Sequence, residues 1–273
     1  FFSHVTGMSS DRRWQYLCTA LPLVAAHVVV PTLKPPAGDT FPTLPGLTQE
    51  RLLRHFAYSD WNWDQGRRWT AVLYMFVHRD QEHLLANMVS LLTTGYPVHR
   101  AFGDIAFCCA YFGGGIVAVL DRKGRTRELG ARLCNLLQVS PRLGGVANWL
   151  NSATQKVSSY VAPALTGSQY LVGASAGVCS LTGVSMCLML EAVLTGTSNS
   201  PSALAQLLIC LHSMLSDLEQ YGTSNVSHAL HLDGFAFGMA FYCAARGLGL
   251  LRRACRWWPR RKDQRSQSPE AYP

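Results

Sequence analysis

The stretch YLVGASAGVCSLTGVSMCLMLEAVL, residues 170–194, decides the architecture. Glu191 is its one charged residue, and it exceeds the roughly 20 apolar residues needed to cross a hydrocarbon core. It therefore reads as a membrane-spanning helix. Near its start sits Gly173-Ala-Ser175-Ala-Gly177, a hydroxyl among small residues. Serine in a membrane helix ordinarily bonds its own i−4 carbonyl, so by itself this motif carries no chemistry.

Working outward, Ser202 to about Leu218 and Val226 to about Leu250 have the same character. Towards the N-terminus lie Trp14–Leu33, which contains no Asp, Glu, Lys or Arg, then His83 to about Val98, and Gly103–Leu120. Only a few residues separate the second and third of these runs, so they should be antiparallel neighbours. The expected fold is an all-α membrane protein with six spans, Tyr170–Leu194 being the fourth. Six spans put both termini on one side, and Arg12-Arg13 with the basic C-terminal end mark that side as cytoplasmic. The Arg-rich run 122–132 falls on the opposite side, against that rule. The chain divides into an N-terminal cytoplasmic segment (1–13), a six-span domain (14–250) with a long loop at 121–169, and a basic C-terminal tail (251–273). Within the loop, Leu129, Leu133, Leu136, Leu137 and Leu143 recur at helical spacing, as in a helix lying in the interface.

Composition agrees. Charged residues are 15% of the 273-residue chain and hydrophobic residues 48%, which excludes disorder and weakens any soluble-enzyme reading. Mean hydropathy is only +0.09 because polar residues are segregated into a few segments. Net charge is +8, and much of the excess follows the last span: Arg252, Arg253, Arg256, Arg260, Arg261, Lys262 and Arg265, with Trp257 and Trp258 among them. That pattern fits an anchor on an anionic leaflet better than a nucleic-acid patch. Nine cysteines, mostly in apolar runs and without CxxC spacing, read as free thiols and leave the redox compartment open. The chain opens on Phe1 rather than Met, which leaves room for a preceding targeting segment.

Polar groups inside spans are costly, so each is a functional-site hypothesis, with a partnered structural residue as the ordinary alternative. His83 and Asn87 stand at i, i+4, one turn apart on one helix face; alone they read as interhelical hydrogen bonds. In the sixth span His231, Gly234 and Gly238 share a face, and small residues let a neighbouring backbone approach. On the fourth span the face of Ser175 is expected to continue through Cys179, Thr182 and Gly183, with Cys179 beside His231. Alternating topology places the starts of the second, fourth and sixth spans at one membrane face. His83 and Asn87, Ser175 and His231 therefore converge as nucleophile, base and oxyanion donors, the parts that acyl transfer requires.

With these residues in order, the chain resembles the rhomboid family of intramembrane serine proteases, over about Trp69 to Gly249. The family's His-x4-His-x3-Asn motif reads here His78-Arg-Asp-Gln-Glu-His83-Leu-Leu-Ala-Asn87, and its Gly-x-Ser motif reads Gly173-Ala174-Ser175. The histidine followed by Gly-x3-Gly is His231 with Gly234 and Gly238. Trp69 is similar to the tryptophan of the family's Trp-Arg pair, although Thr70 follows it, and Cys179 stands where an aromatic residue is common. The resemblance implies a catalytic domain whose Ser175 and His231 form a dyad, with His83 and Asn87 stabilising the oxyanion. Gly173, Gly177, Gly234 and Gly238 would pack helices at the site. Asp233, at i+2 from His231, points away and is no triad member. No cofactor or metal is implied. The partners implied are transmembrane protein substrates and the lipid bilayer, in a secretory-pathway or mitochondrial inner membrane. Rival readings are a catalytically silent relative that binds membrane helices, and a histidine-based transporter or metal-binding protein using His78, His83, His228 and His231.

Overall fold

A computed structural model describes residues 10–34, 46–121, 170–197, 201–219 and 227–265. The expected interfacial helix in the 121–169 loop, the first nine residues and the end of the basic tail lie outside these. Among the described residues the structure is helical, with an isolated antiparallel bridge between Tyr58 and Leu171. The long helices are α1 (Ser10–Val28), α5 (Gln81–Phe102), α6 (Asp104–Asp121), α7 (Ser175–Leu194), α8 (Pro201–Glu219) and α9 (Ser227–Arg265). Between α1 and α5 come the short α2 (Gln49–His55), α3 (Asp60–Asp64) and α4 (Thr70–Leu73), the last running into a 3-10 turn, Tyr74–Phe76.

Each apolar run is thus a helix, with two boundaries displaced. Residues 170–174 are not helical, because Gly173 has φ +115° and this segment bonds back to the loop. Leu171 exchanges both backbone hydrogen bonds with Tyr58, at 2.7 and 3.1 Å, and Gly173 N–H donates to the Tyr74 carbonyl at 3.0 Å. Secondly, α1 ends at Val28, and the chain after it turns to pair Leu33 and Lys34 with the carbonyls of His78 and Arg79. Of the described helices, α7 is the one long and apolar enough to cross a membrane, while Asp104–Leu120 and Leu204–Leu215 are shorter apolar stretches.

α7 is the centre of the bundle, packed on α5, α6, α8 and α9, and it is buried on nearly all sides. A helix apolar all round is a core helix or a span. Close approach is achieved with small residues. Gly113, Gly114 and Gly115 on α6 point about 100° apart, and a Cβ on each would collide with a different neighbour: Phe237 of α9 (2.6 Å), Ser180 of α7 (2.2 Å) and Met75 of the loop (2.3 Å). Three consecutive glycines cost roughly 1 kcal/mol each in helix propensity, which close packing on three sides must offset. Ser180 Oγ donates to the Ala110 carbonyl at 2.7 Å, tying α7 to α6. Tyr16 of α1 donates to the Leu91 and Leu92 carbonyls of α5 at 2.9 and 3.0 Å.

The turn from α5 to α6 is one residue, Gly103, at φ +84°. His99 before it and Asp104 after it pair across the turn, and Thr19 of α1 donates to the same carboxylate at 2.8 Å. The loop helices hold together around Asn62, fully buried, which donates to the Leu53 and Ala57 carbonyls and accepts from Arg67. Trp61 and Trp69 stay exposed, with the Arg67 guanidinium 4.9 Å from the Trp61 ring.

Candidate active site

Ser175 is the first residue of α7 and half-buried. Two residues before it, Gly173 lies directly on the His83 imidazole: a Cβ there would stand 2.6 Å from Cε1 and 3.1 Å from Nε2. Positive φ and the ring beneath both require glycine at this position. His83 is in the first turn of α5, where the Asp80 carboxylate accepts its N–H at 2.8 Å as the helix N-cap. Arg79 donates to the other Asp80 oxygen at 2.7 Å, and these two donors hold the carboxyl below the usual range. One turn on, Asn87 is buried and its Nδ2 donates to the His83 carbonyl at 2.8 Å.

His231 is in the second turn of α9, half-buried and within electrostatic reach of His83. Its ring stands perpendicular to that of His228 at 5.9 Å. One turn beyond it, Gly234 touches the α7 backbone: a Cβ there would be 2.2 Å from the Ala176 carbonyl oxygen. At Gly238 the corresponding distance to the Ser180 oxygen is 2.0 Å, and at Gly183 a Cβ would be 2.6 Å from the Phe235 oxygen. The two histidines and the start of α7 are therefore neighbours.

Some expectations need correction. The α7 face against α9 runs through Ala176, Ser180 and Gly183; of the face drawn through Ser175, Cys179, Thr182 and Gly183, Gly183 lies in this contact, and Ala176 and Ser180 join it. Gly177 packs on Met75 and on the α6 backbone at Tyr111, and Gly173, in the non-helical segment before α7, packs on His83 of α5. Asp233 is buried and engaged with its neighbours. Among the described residues no three His, Cys, Asp or Glu side chains come together to hold a metal ion, so the histidines at 78, 83, 228 and 231 do not form such a cluster.

Residues 65–122 match the family model of the Rhomboid domain. Over those residues the chain carries a match to the Rhomboid domain, which supports a rhomboid family assignment. No curated protein and no solved structure matches the chain. The Rhomboid match takes in the loop end, α4, α5 and α6, with His78, His83 and Asn87; Ser175 and His231 lie C-terminal to it. This match and the helical structure of the described residues fit an all-α membrane protein.

Two features of this site were not read from sequence. Asp80 caps α5, a role visible in hindsight in its place three residues before His83. Behind the site, His78 is buried and its Nε2 accepts the N–H of Ala174 at 3.4 Å, immediately before Ser175. Burial, with His27 and His83 alongside, pushes the His78 pKa down from 6.5 to about 3, although Asp80 opposes this. The folded chain thus keeps His78 neutral while the unfolded chain protonates it near 6.5, so stability falls as pH drops between those values. The melting temperature in detergent should decline from about pH 7 to about pH 4, and less steeply in His78→Asn. An unchanged slope in that variant would show that His78 is not the group responsible.

Proposed function

We propose that this chain is an intramembrane serine endopeptidase with six spans, cutting peptide bonds in or near the transmembrane helices of membrane-protein substrates. One observation carries the reading most: the N-terminus of α7, bearing Ser175, is flanked by His83 against Gly173 and by His231 one turn before the α7–α9 contact at Gly234.

Ser175 Oγ attacks the substrate carbonyl while His231 takes its proton as general base. His231 then returns the proton to the leaving amine, and a water activated the same way hydrolyses the acyl-enzyme. The pair acts as a dyad, without a carboxylate. The tetrahedral oxyanion is stabilised by the Ser175 N–H at the start of α7, by His83 and by Asn87. Asn87 gives one N–H to the His83 carbonyl, and its amide has a second for the oxyanion. A substrate helix must unwind locally before its amide can be attacked, because helical hydrogen bonds shield it. Spans containing Gly or Pro should be preferred.

The deciding experiment is labelling of the purified protein with a fluorophosphonate probe. The wild type should react and Ser175→Ala should not. Absence of labelling in folded wild type would overturn the reading. Asn87→Ala separates a donor from a scaffold residue. It should lower turnover by roughly 100-fold, since it supplies one oxyanion donor. Its melting temperature should hardly move, because the only bond shown to be lost is one to its own helix. Unfolding of Asn87→Ala with full activity in the surviving fraction would assign Asn87 to packing alone.

A further inference from the structure

His27, in the last turn of α1, is an ionisable residue that the proposed chemistry does not use, and it is fully buried. Its Nε2 is 2.8 Å from the hydroxyl of Tyr111 on α6, itself fully buried. The imidazole stacks on Phe76, with ring centres 4.5 Å apart and planes 19° from parallel, and meets His78 edge-on at 5.5 Å. His78 in turn meets His83 edge-on at 5.3 Å and accepts the Ala174 N–H. The Nδ1 atoms of His27 and His78 have no hydrogen-bond partner among the described residues, and the two rings interact with the backbones of Met75 and Phe76 respectively.

These contacts form one path from Tyr111 through His27 and His78 to the residue before Ser175. The His78 tautomer is fixed by it. Nε2 accepts from Ala174, so its lone pair faces that amide and the ring proton of the neutral imidazole resides on Nδ1. Tilting the His78 ring would release the Ala174 amide and with it the first turn of α7. His27 prevents that tilt: it closes one side of the ring and pins Phe76 by stacking, while Tyr111 fixes the imidazole of His27. Packing alone would be served by an aliphatic side chain; a buried histidine bonded to a tyrosine adds a set orientation at the cost of two desolvated polar groups.

We propose that His27, held by Tyr111, is a positioning residue for the nucleophile, acting through His78 on the Ala174–Ser175 backbone. This rests on the protease reading of Ser175.

The test compares wild type with His27→Phe, His27→Gln and Tyr111→Phe in full-length protein. Three readouts are taken: the rate of fluorophosphonate labelling at Ser175, kcat and KM on a transmembrane substrate, and amide hydrogen exchange of the peptide containing Ala174. His27→Phe keeps the stack and loses the hydrogen bond. It should slow labelling and kcat about 10-fold or more, leave KM unchanged and speed Ala174 exchange. His27→Gln, whose amide can still meet the Tyr111 hydroxyl, should restore much of the rate. Tyr111→Phe should match His27→Phe, and the double variant should be no worse, because the two act as a unit. Wild-type rates and exchange in folded His27→Phe would overturn the proposal. So would slowing that follows lost melting temperature and is not rescued by glutamine. If wild type fails to label at all, the protease reading has failed, while faster Ala174 exchange in His27→Phe would still establish the linkage.

Discussion

Replacing Ser175 by alanine is expected to abolish cleavage of a transmembrane substrate, by a factor on the order of 10,000 or more, with the protein still folded. His231→Ala should do the same. Ser175 opens a helix whose first turn is held from behind by His78 and flanked by His83, so losing one oxygen disturbs little else. His231 precedes rather than occupies the backbone contact at Gly234, so its truncation should likewise spare the packing. The double variant should be no slower than either single one, because nucleophile and base act together. Cleavage by folded Ser175→Ala would remove Ser175 from the chemistry. The measurement is turnover of a labelled substrate in detergent or liposomes, with melting temperature recorded alongside.

The second large effect is structural. In Gly238→Val the new Cβ would lie 2.0 Å from the Ser180 carbonyl oxygen, and in Gly234→Val 2.2 Å from that of Ala176. The obstacle is helix backbone, which cannot rotate away as the end of a side chain can. α9 must therefore move off α7, opening their interface and carrying His231 with it. Overpacking of this kind costs about 3 kcal/mol. For a domain of this size that is a fall of roughly 5–10 °C in melting temperature. Activity should be lost in parallel. Gly249→Val is the control, since nothing lies within 4 Å of that position. Equal melting temperatures for Gly238→Val and Gly249→Val would show that the seam is not where stability resides.

Helix positions were legible because apolar runs of span length have few alternatives, and the meeting of His83, the start of α7 and His231 followed from alternating direction alone. Boundaries were less so. The run from Tyr170 is apolar throughout, yet α7 starts at Ser175 because Gly173 adopts positive φ and Leu171 pairs with Tyr58, more than a hundred residues away. The seam was read correctly at Gly183 but not at Ala176 and Ser180, because neighbouring faces of α7 are both lined with small residues. Hydropathy cannot rank two such faces; only the backbone of the partner helix does. His27 had no local signal at all. A histidine in an apolar run acquires meaning from Tyr111, 84 residues on. Asn62 is similar, its partners Leu53, Ala57 and Arg67 being gathered by short helices that periodicity does not detect.

α9 is continuous for 39 residues, from Ser227 to Arg265, and meets α7 most tightly at Gly234 and Gly238. Mechanically that makes it a lever with its fulcrum near one end. At 1.5 Å per residue, His231 is about 10 Å from the pivot at Gly238 and the basic end about 40 Å. Sideways travel at Arg265 reaches His231 reduced roughly fourfold and reversed in direction, to the extent that the helix stays straight through Pro259. The imidazole is thereby shielded from sideways motion at the far end. Rotation about the helix axis is not geared down, and a twist applied there would arrive at His231 undiminished.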